Sequence, residues 1–251
     1  MKHAIVAGMG VVLAACGGSG SSGGEPSHSP VNDAHGVYRG NTDTGRALVG
    51  LVLKGGSYYL FYGEESGSDP LAGVIHGRAS ATRGTFASAH AQDVSLEGGT
   101  IRPASISASY IAGQYLTGDV DYDAGAAMGF TTSYEADYDN PADPALLPGK
   151  YFGRFKTTDR SQYTAMTLTE SGTLSAETEL AGGCDFDGLV VPRPEGNVFR
   201  LTLTFADPDC RYHGQTLQGS LYRQTDSGII YGAALTADSK NGLFFYVRPP
   251  L

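Results

Sequence analysis

Tryptophan is absent, cysteine occurs three times among 251 residues, and charged residues make up only 17% of the chain. No apolar run reaches the roughly 20 residues that a membrane-spanning helix needs. After the first sixteen residues no segment carries an apolar stripe of helical period. None of the six histidines lies in an H-E-x-x-H or equivalent metal spacing, and neither a P-loop nor a dinucleotide glycine fingerprint is present. Positive charge is scarce as well: the formal net charge is -9. An acidic surface repels phosphate backbones and anionic headgroups, so nucleic acid is excluded as a partner, as is electrostatic adhesion to lipid. What the chain does have is 36 glycines and 15 tyrosines. That balance suits short strands joined by tight turns.

The first residues form a segment of their own. Lys2 gives a basic start, and Ala4 to Ala15 form an apolar stretch too short to span a bilayer. Leu13-Ala14-Ala15-Cys16 resembles the lipobox of bacterial lipoproteins. The resemblance implies a signal peptide over 1–15, cleavage before Cys16, and acylation of the Cys16 thiol (palmitate) and of the new amino terminus. More than one acyl chain is the physical condition for stable anchoring. The residue after the cysteine is Gly17, not the aspartate that marks inner-membrane retention in that class, which implies the outer membrane. Residues 16–35 then form an acylated, Gly/Ser-rich tether with a reach of roughly 24 Å. Gly20 to Gly24 matches G-x-S-x-G formally, but low-complexity sequence supplies no strand-turn-helix to make a nucleophile of Ser22.

The rest of the chain reads as an internal repeat. Gly36-Val37-Tyr38-Arg39-Gly40 recurs as Gly149-Lys150-Tyr151-Phe152-Gly153. The run from Ala47 to Tyr62, turning at Gly56, parallels the run from Tyr163 to Thr178, turning at Gly172. Gln114 to Gly118 parallels Gln215 to Gly219 in the same order. A Pro-rich connection at 139–148 separates a first domain, 36–138, from a second, 149–251. Within each copy the period is two. Phe199, Leu201, Leu203 and Phe205 share one face, as do Leu116, Gly118, Val120 and Tyr122. About eight short runs per copy predict two tandem small antiparallel β-barrels, with a sandwich as the alternative. Polar outer faces such as Asp119, Asp121 and Asp123 do not build a lipid-facing band; the same aspartates read as a solvated face, not a cation site.

With Cys16 assigned to lipid, Cys184 and Cys210 remain as a pair in an oxidising compartment, and a disulfide is expected between them. The competing reading is a metal site of Cys184, Cys210 and His213, which lacks close C-x-x-C spacing. No residue singles itself out as catalytic, and no cofactor is implied. The run Tyr58-Tyr59-Leu60-Phe61-Tyr62 has aromatics on both parities, so one face points away from its own core. Tyr58, Tyr59, Phe61 and Tyr62 are therefore the candidate binding surface, with packing against the second domain and simple exposure as alternatives. Tyr59 and Phe61 are expected on the buried side with Val49, Leu51 and Leu53; that register requires a one-residue bulge at Gly55-Gly56.

Lipobox, tether and tandem barrels together are similar, in architecture alone, to Gram-negative surface lipoproteins of the transferrin-binding and factor H-binding types. That resemblance implies a non-catalytic lipoprotein of the cell envelope, anchored in the outer membrane and facing the periplasm or the surface, with two β domains presented to an unidentified protein partner. The alternative is a lipocalin-like carrier of a small apolar ligand, for which inward Gly118 and Gly219 would leave room.

Overall fold

The computed structural model describes residues 33–178 and 183–250. The signal segment, Cys16 and most of the tether lie outside these residues. Two closed antiparallel barrels of eight strands stand in tandem. The first comprises β1 (Gly36–Thr42), β2 (Ala47–Val52), β3 (Ser57–Tyr62), β4 (Gly73–Arg78), β6 (Thr85–Ser95), β7 (Thr100–Ile111), β8 (Tyr115–Tyr122) and β9 (Ala127–Tyr134). Pairing of β4 with β6 closes this ring, and the three-residue β5 (Ser80–Thr82) extends β6 outside it. The second comprises β10 (Gly149–Lys156), β11 (Ser161–Leu168), β12 (Thr173–Thr178), β13 (Phe186–Pro192), β14 (Phe199–Thr204), β15 (Thr216–Arg223), β16 (Ile230–Leu235) and β17 (Gly242–Arg248), closed by β10 with β17. Closure gives every strand of each ring a partner on both sides.

Alternation fills both interiors. In the first barrel Tyr38, Leu48, Val52, Tyr58, Leu60, Ile75, Phe86, Leu116 and Val120 meet in one core. In the second, Phe199, Leu201, Leu203 and Phe205 join Phe155, Phe186 and Phe245 in another. The Phe155 and Phe245 rings stack at 4.6 Å. Space for a ligand does not open at the two inward glycines. A Cβ on Gly118 would stand 2.3 Å from the Ser107 carbonyl oxygen, and one on Gly219 1.8 Å from that of Ala233. Those glycines admit a neighbouring backbone, which corrects the carrier expectation at that point. Away from the second barrel, the outer face of the first is polar: Ser107, Ser109, Asp119, Asp121, Thr131 and Ser133 are exposed.

The repeat is visible in matching bonds. Tyr38 donates its hydroxyl to the Ala34 carbonyl, and Tyr151 to that of Leu147, each at 2.8 Å. The β2–β3 and β11–β12 hairpins have the same three-residue loop. Leu53 N–H donates to Ser57 O at 2.8 Å, and Thr169 N–H to Thr173 O at 3.0 Å. Gly56 and Gly172 take the left-handed position, with φ 87° and 79°. The third sequence match is a coincidence: β8 is the seventh strand of its ring and β15 the sixth of its own.

The loop at Gly56 sets the register of the aromatic run. Leu51 pairs with Tyr59 and Val49 with Phe61, as the bulged turn requires. The barrel interior nevertheless takes the opposite parity, Tyr58, Leu60 and Tyr62. Tyr59 and Phe61 face the second barrel, in a third core with Val49, Leu51, Val74, Val94, Tyr222, Tyr231 and Phe244. Phe61 lies 5.5 Å from Tyr231 across the contact. The expected recognition surface at Tyr58, Tyr59, Phe61 and Tyr62 is thus corrected: all four are buried, because two cores lie on the two sides of one strand. Lys156 of the second barrel, itself buried, pairs with Asp69 and donates to the Leu71 carbonyl at 2.7 Å. Tyr58→Ala and Phe61→Ala are each expected to cost about 3 to 5 kcal/mol in urea melts; a change within about 0.5 kcal/mol at Phe61, the response of a surface position, would contradict the contact between barrels.

The second barrel carries the expected disulfide, Cys184–Cys210, which rules out the metal reading of those thiols. The buried Gln162 amide holds Cys184 in place, donating to its carbonyl at 2.8 Å and accepting from its N–H at 3.1 Å. Replacing both cysteines by alanine is expected to lower stability by about 3.5 kcal/mol, the loop-entropy value for a closed loop of about 27 residues. Denaturant melts with and without reductant check this: wild type should lose that amount on reduction and the variant nothing.

Candidate functional site

The three sites named from the sequence have different fates. Cys16 lies outside the described residues. Cys184 and Cys210 are joined. The aromatic run is enclosed and serves as one wall of something else: a cleft of about 770 Å³ where the two barrels diverge.

The barrel-one wall is laid out by strand register. Tyr59 pairs with His76, and His76 with Gln92, so Leu51, Tyr59, His76 and Gln92 form one cross-strand row on the outer face. Gln92 joins that row because of a β-bulge. Between Ser88 and Ala91 the register with β7 slips by one residue. Ser88 points inward, where it accepts the Tyr58 hydroxyl at 2.9 Å, and after the bulge Ala91 and Asp93 point inward instead. Gln92 and Val94 are thereby turned out toward the second barrel, and His90 stands exposed at the mouth. The opposite wall is Thr216 and Gln218 of β15 and the β16–β17 hairpin, Thr236 to Ser239. In that hairpin Ser239 has φ 57°, a left-handed conformation that is unusual for a residue other than glycine, asparagine or aspartate. The Thr236 hydroxyl donates to Asp238 at 2.6 Å and, with the Lys240 N–H, holds that carboxyl below its ordinary value.

Two side-chain atoms at the cleft floor lack partners: His76 Nε2 and Gln92 Oε1. His76 is 3% exposed. Burial disfavours its charged form and lowers its pKa to about 4, so the ring is neutral at pH 7. A buried polar atom without a partner costs about 1 to 3 kcal/mol. Next to it, burial pushes the Tyr59 hydroxyl up.

The first barrel also encloses a carboxylate, Asp93, 1% exposed. It accepts from Tyr62 at 2.8 Å, from Tyr122 at 2.9 Å and from Arg102 at 2.9 Å. Burial and the Asp93 charge push both tyrosine hydroxyls up. This network is closed on itself and acts as a polar plug. A smaller cavity of about 290 Å³ sits at the mouth of the second barrel, floored by Phe155, Phe205 and Leu243 and rimmed by Asp159, Arg160 and Arg211. Among the described residues no group of three or more His, Cys, Asp or Glu side chains is arranged to hold a metal, and no helix is long and apolar enough to cross a membrane.

Sequence reasoning passed over His76, His90 and Gln92. The available signal was the polar interruption Ala89-His90-Ala91-Gln92-Asp93, which breaks the period of two within one strand.

No family model and no curated protein matches the chain. One solved structure, a provisionally assigned outer membrane protein of Bacteroides fragilis, aligns over 86% of this chain and 96% of its own, at 11% identity and a TM-score of 0.26. A likeness that small carries nothing over to this chain.

The buried imidazole generates a pH dependence. Its folded pKa of about 4 lies below the ordinary 6.5. The unfolded chain therefore binds a proton between those values that the folded chain refuses. The stability this group contributes is complete above pH 6.5 and falls as pH drops, by about 3 kcal/mol in all once pH 4 is reached. Urea melts across that range on wild type and His76→Gln isolate the effect: the acid-side loss should shrink in the variant by that amount, and parallel curves would refute it.

Proposed function

We propose that this chain is a lipid-anchored protein of the bacterial envelope that works by recognition, not catalysis, with the cleft between its barrels as the binding site. The observation that carries the reading is the contrast between packed barrel interiors and an open polar cleft between the barrels, lined by the exposed side chains of His90, Thr216, Gln218 and Ser239. Rigid double-barrel architecture supports it, since a site built on strands holds its geometry without loop rearrangement. The disulfide supports an exported location. The Leu13-Ala14-Ala15-Cys16 motif and the Gly/Ser tether support anchoring at the outer membrane, with the two barrels held close to its surface. A second reading, a carrier of a small apolar ligand, is favoured by one feature alone, the aromatic-floored cavity at the mouth of the second barrel.

The anchor is tested at Cys16. The variant Cys16→Ala should lose palmitate labelling and move the protein to the soluble fraction of lysed cells. Retention in the membrane fraction after labelling is lost would overturn the tether.

A further inference from the structure

We propose that the outer face of β10, β11 and β17 docks an acidic, extended segment of a partner protein. This surface lies on the second barrel, apart from the cleft, and stands whatever the cleft binds.

Duplication marks the face. In the first barrel Val37 pairs with Leu51 and Arg39 with Val49; in the second, Lys150 pairs with Thr167 and Phe152 with Ala165, in the same register. Val37, Val49 and Leu51 are covered by the second barrel. Their counterparts stand open: Lys150 is exposed, and Ala165 and Thr167 are half-buried. A water-facing wall needs only polar side chains, yet this one carries aromatics set against cations. Arg154 stands between Tyr163 and Tyr246 in one cross-strand row, and Phe152 beside Arg248 in the next. Tyr163 is 46% exposed. Tyrosine and arginine are enriched where protein interfaces hold most of their energy. The face also continues an existing interface, since Tyr246 follows Phe244 of the barrel contact on the outer side of β17. Between these rows and the Glu64 to Leu71 loop of the first barrel runs a groove of about 610 Å³.

Charge decides the partner. Among the described residues none of the ion pairs engages Lys150, Arg154 or Arg248. Arg154 makes a hydrogen bond to Ser161 of its own hairpin at 3.4 Å. Three cations without a counterion thus share one face of a chain whose net charge is -9. On the facing loop Asp69 is neutralised by Lys156, and Glu64 accepts from Ser66 and Ser68, so the groove keeps an excess of positive charge. A guanidinium takes a carboxylate through two parallel hydrogen bonds. Lys150, Phe152 and Arg154 project from alternate positions of β10, about 6.6 Å apart, which is the spacing of alternate side chains in an extended chain. A segment with acids on either side of an apolar residue matches that order. Its side chains alone make the contact, because β10, β11 and β17 are each paired on both sides. A short segment meets only this face, whereas an anionic bilayer would meet the acidic surface around it.

The test applies the full chain, in detergent, to an array of heptapeptides with Asp or Glu at alternate positions and every residue type between them. A second array carries Asn and Gln in place of the acids. The expected result is binding to members of the acidic array, several-fold weaker in 0.5 M than in 0.05 M salt, and none to the amide array. Arg154→Gln and Tyr163→Ala, both at exposed positions, should each weaken the best acidic peptide about tenfold without any change in melting. Arg83→Gln, the same charge change on the first barrel, should leave that binding as it is. Equal binding to both arrays, or none to either, would overturn the proposal. Binding of dihexanoyl phosphatidylglycerol in place of the peptides would assign the face to lipid and overturn it as well. So would self-association of the chain that Arg154→Gln abolishes, which would make the exposed Asp119 and Asp121 of a second copy the occupant.

Discussion

The body of this protein depends on the apolar contact between its two barrels. A small water-facing barrel needs only its interior apolar, yet β2 and β3 are apolar on both parities. Tyr58, Leu60 and Tyr62 fill the first barrel, while Val49, Leu51, Tyr59 and Phe61 cover Tyr222, Tyr231 and Phe244 of the second. Without that cover, the outer row would be a contiguous apolar patch of the sort monomeric proteins rarely expose. Each barrel closes separately, and the two are nevertheless welded into one body. The pair of buried Lys156 with half-buried Asp69 helps set the orientation of the weld, because Lys156 alone would be left a desolvated charge.

The cleft is what remains where this contact ends. The same outer rows that are apolar at Val74 and Val94 become polar one step along, at His76 and Gln92. The Ser88/Ala91 bulge produces both of the polar features of the first barrel. It sends Asp93 inward, where Tyr62, Tyr122 and Arg102 neutralise and enclose it, and it sends Gln92 outward, where nothing in the chain completes its hydrogen bonds. A single inserted residue thus places Asp93 inside the barrel and Gln92 on its outer face.

Duplication explains the framework but not the details. Matching glycine turns at Gly56 and Gly172, and matching tyrosine bonds at Tyr38 and Tyr151, keep the first three strands of each ring alike. Beyond them the copies diverge. The second barrel is stapled by Cys184–Cys210, and the first is plugged by its buried carboxylate.

By itself the sequence determined the all-β class, the two eight-stranded rings and the pairing of Cys184 with Cys210. All three follow from local periodicity, turn glycines and the two cysteines that remain once Cys16 is set aside, which act over a few residues or by simple counting. It also determined that Tyr59 and Phe61 pair with Leu51 and Val49, since a three-residue loop sets register locally. Only the tertiary structure decided which of those faces looks into the barrel, because a strand apolar on both sides carries no preference until a second body covers one of them. For the same reason the sequence leaves open whether the outward face of Tyr58 to Tyr62 meets a partner or the second domain, and in the fold the second domain encloses it. His76, His90 and Gln92 come together through a bulge, a ring closure and the docking of two barrels; only the bulge leaves a mark in local sequence, at Ala89 to Asp93, and the other two are long-range pairings.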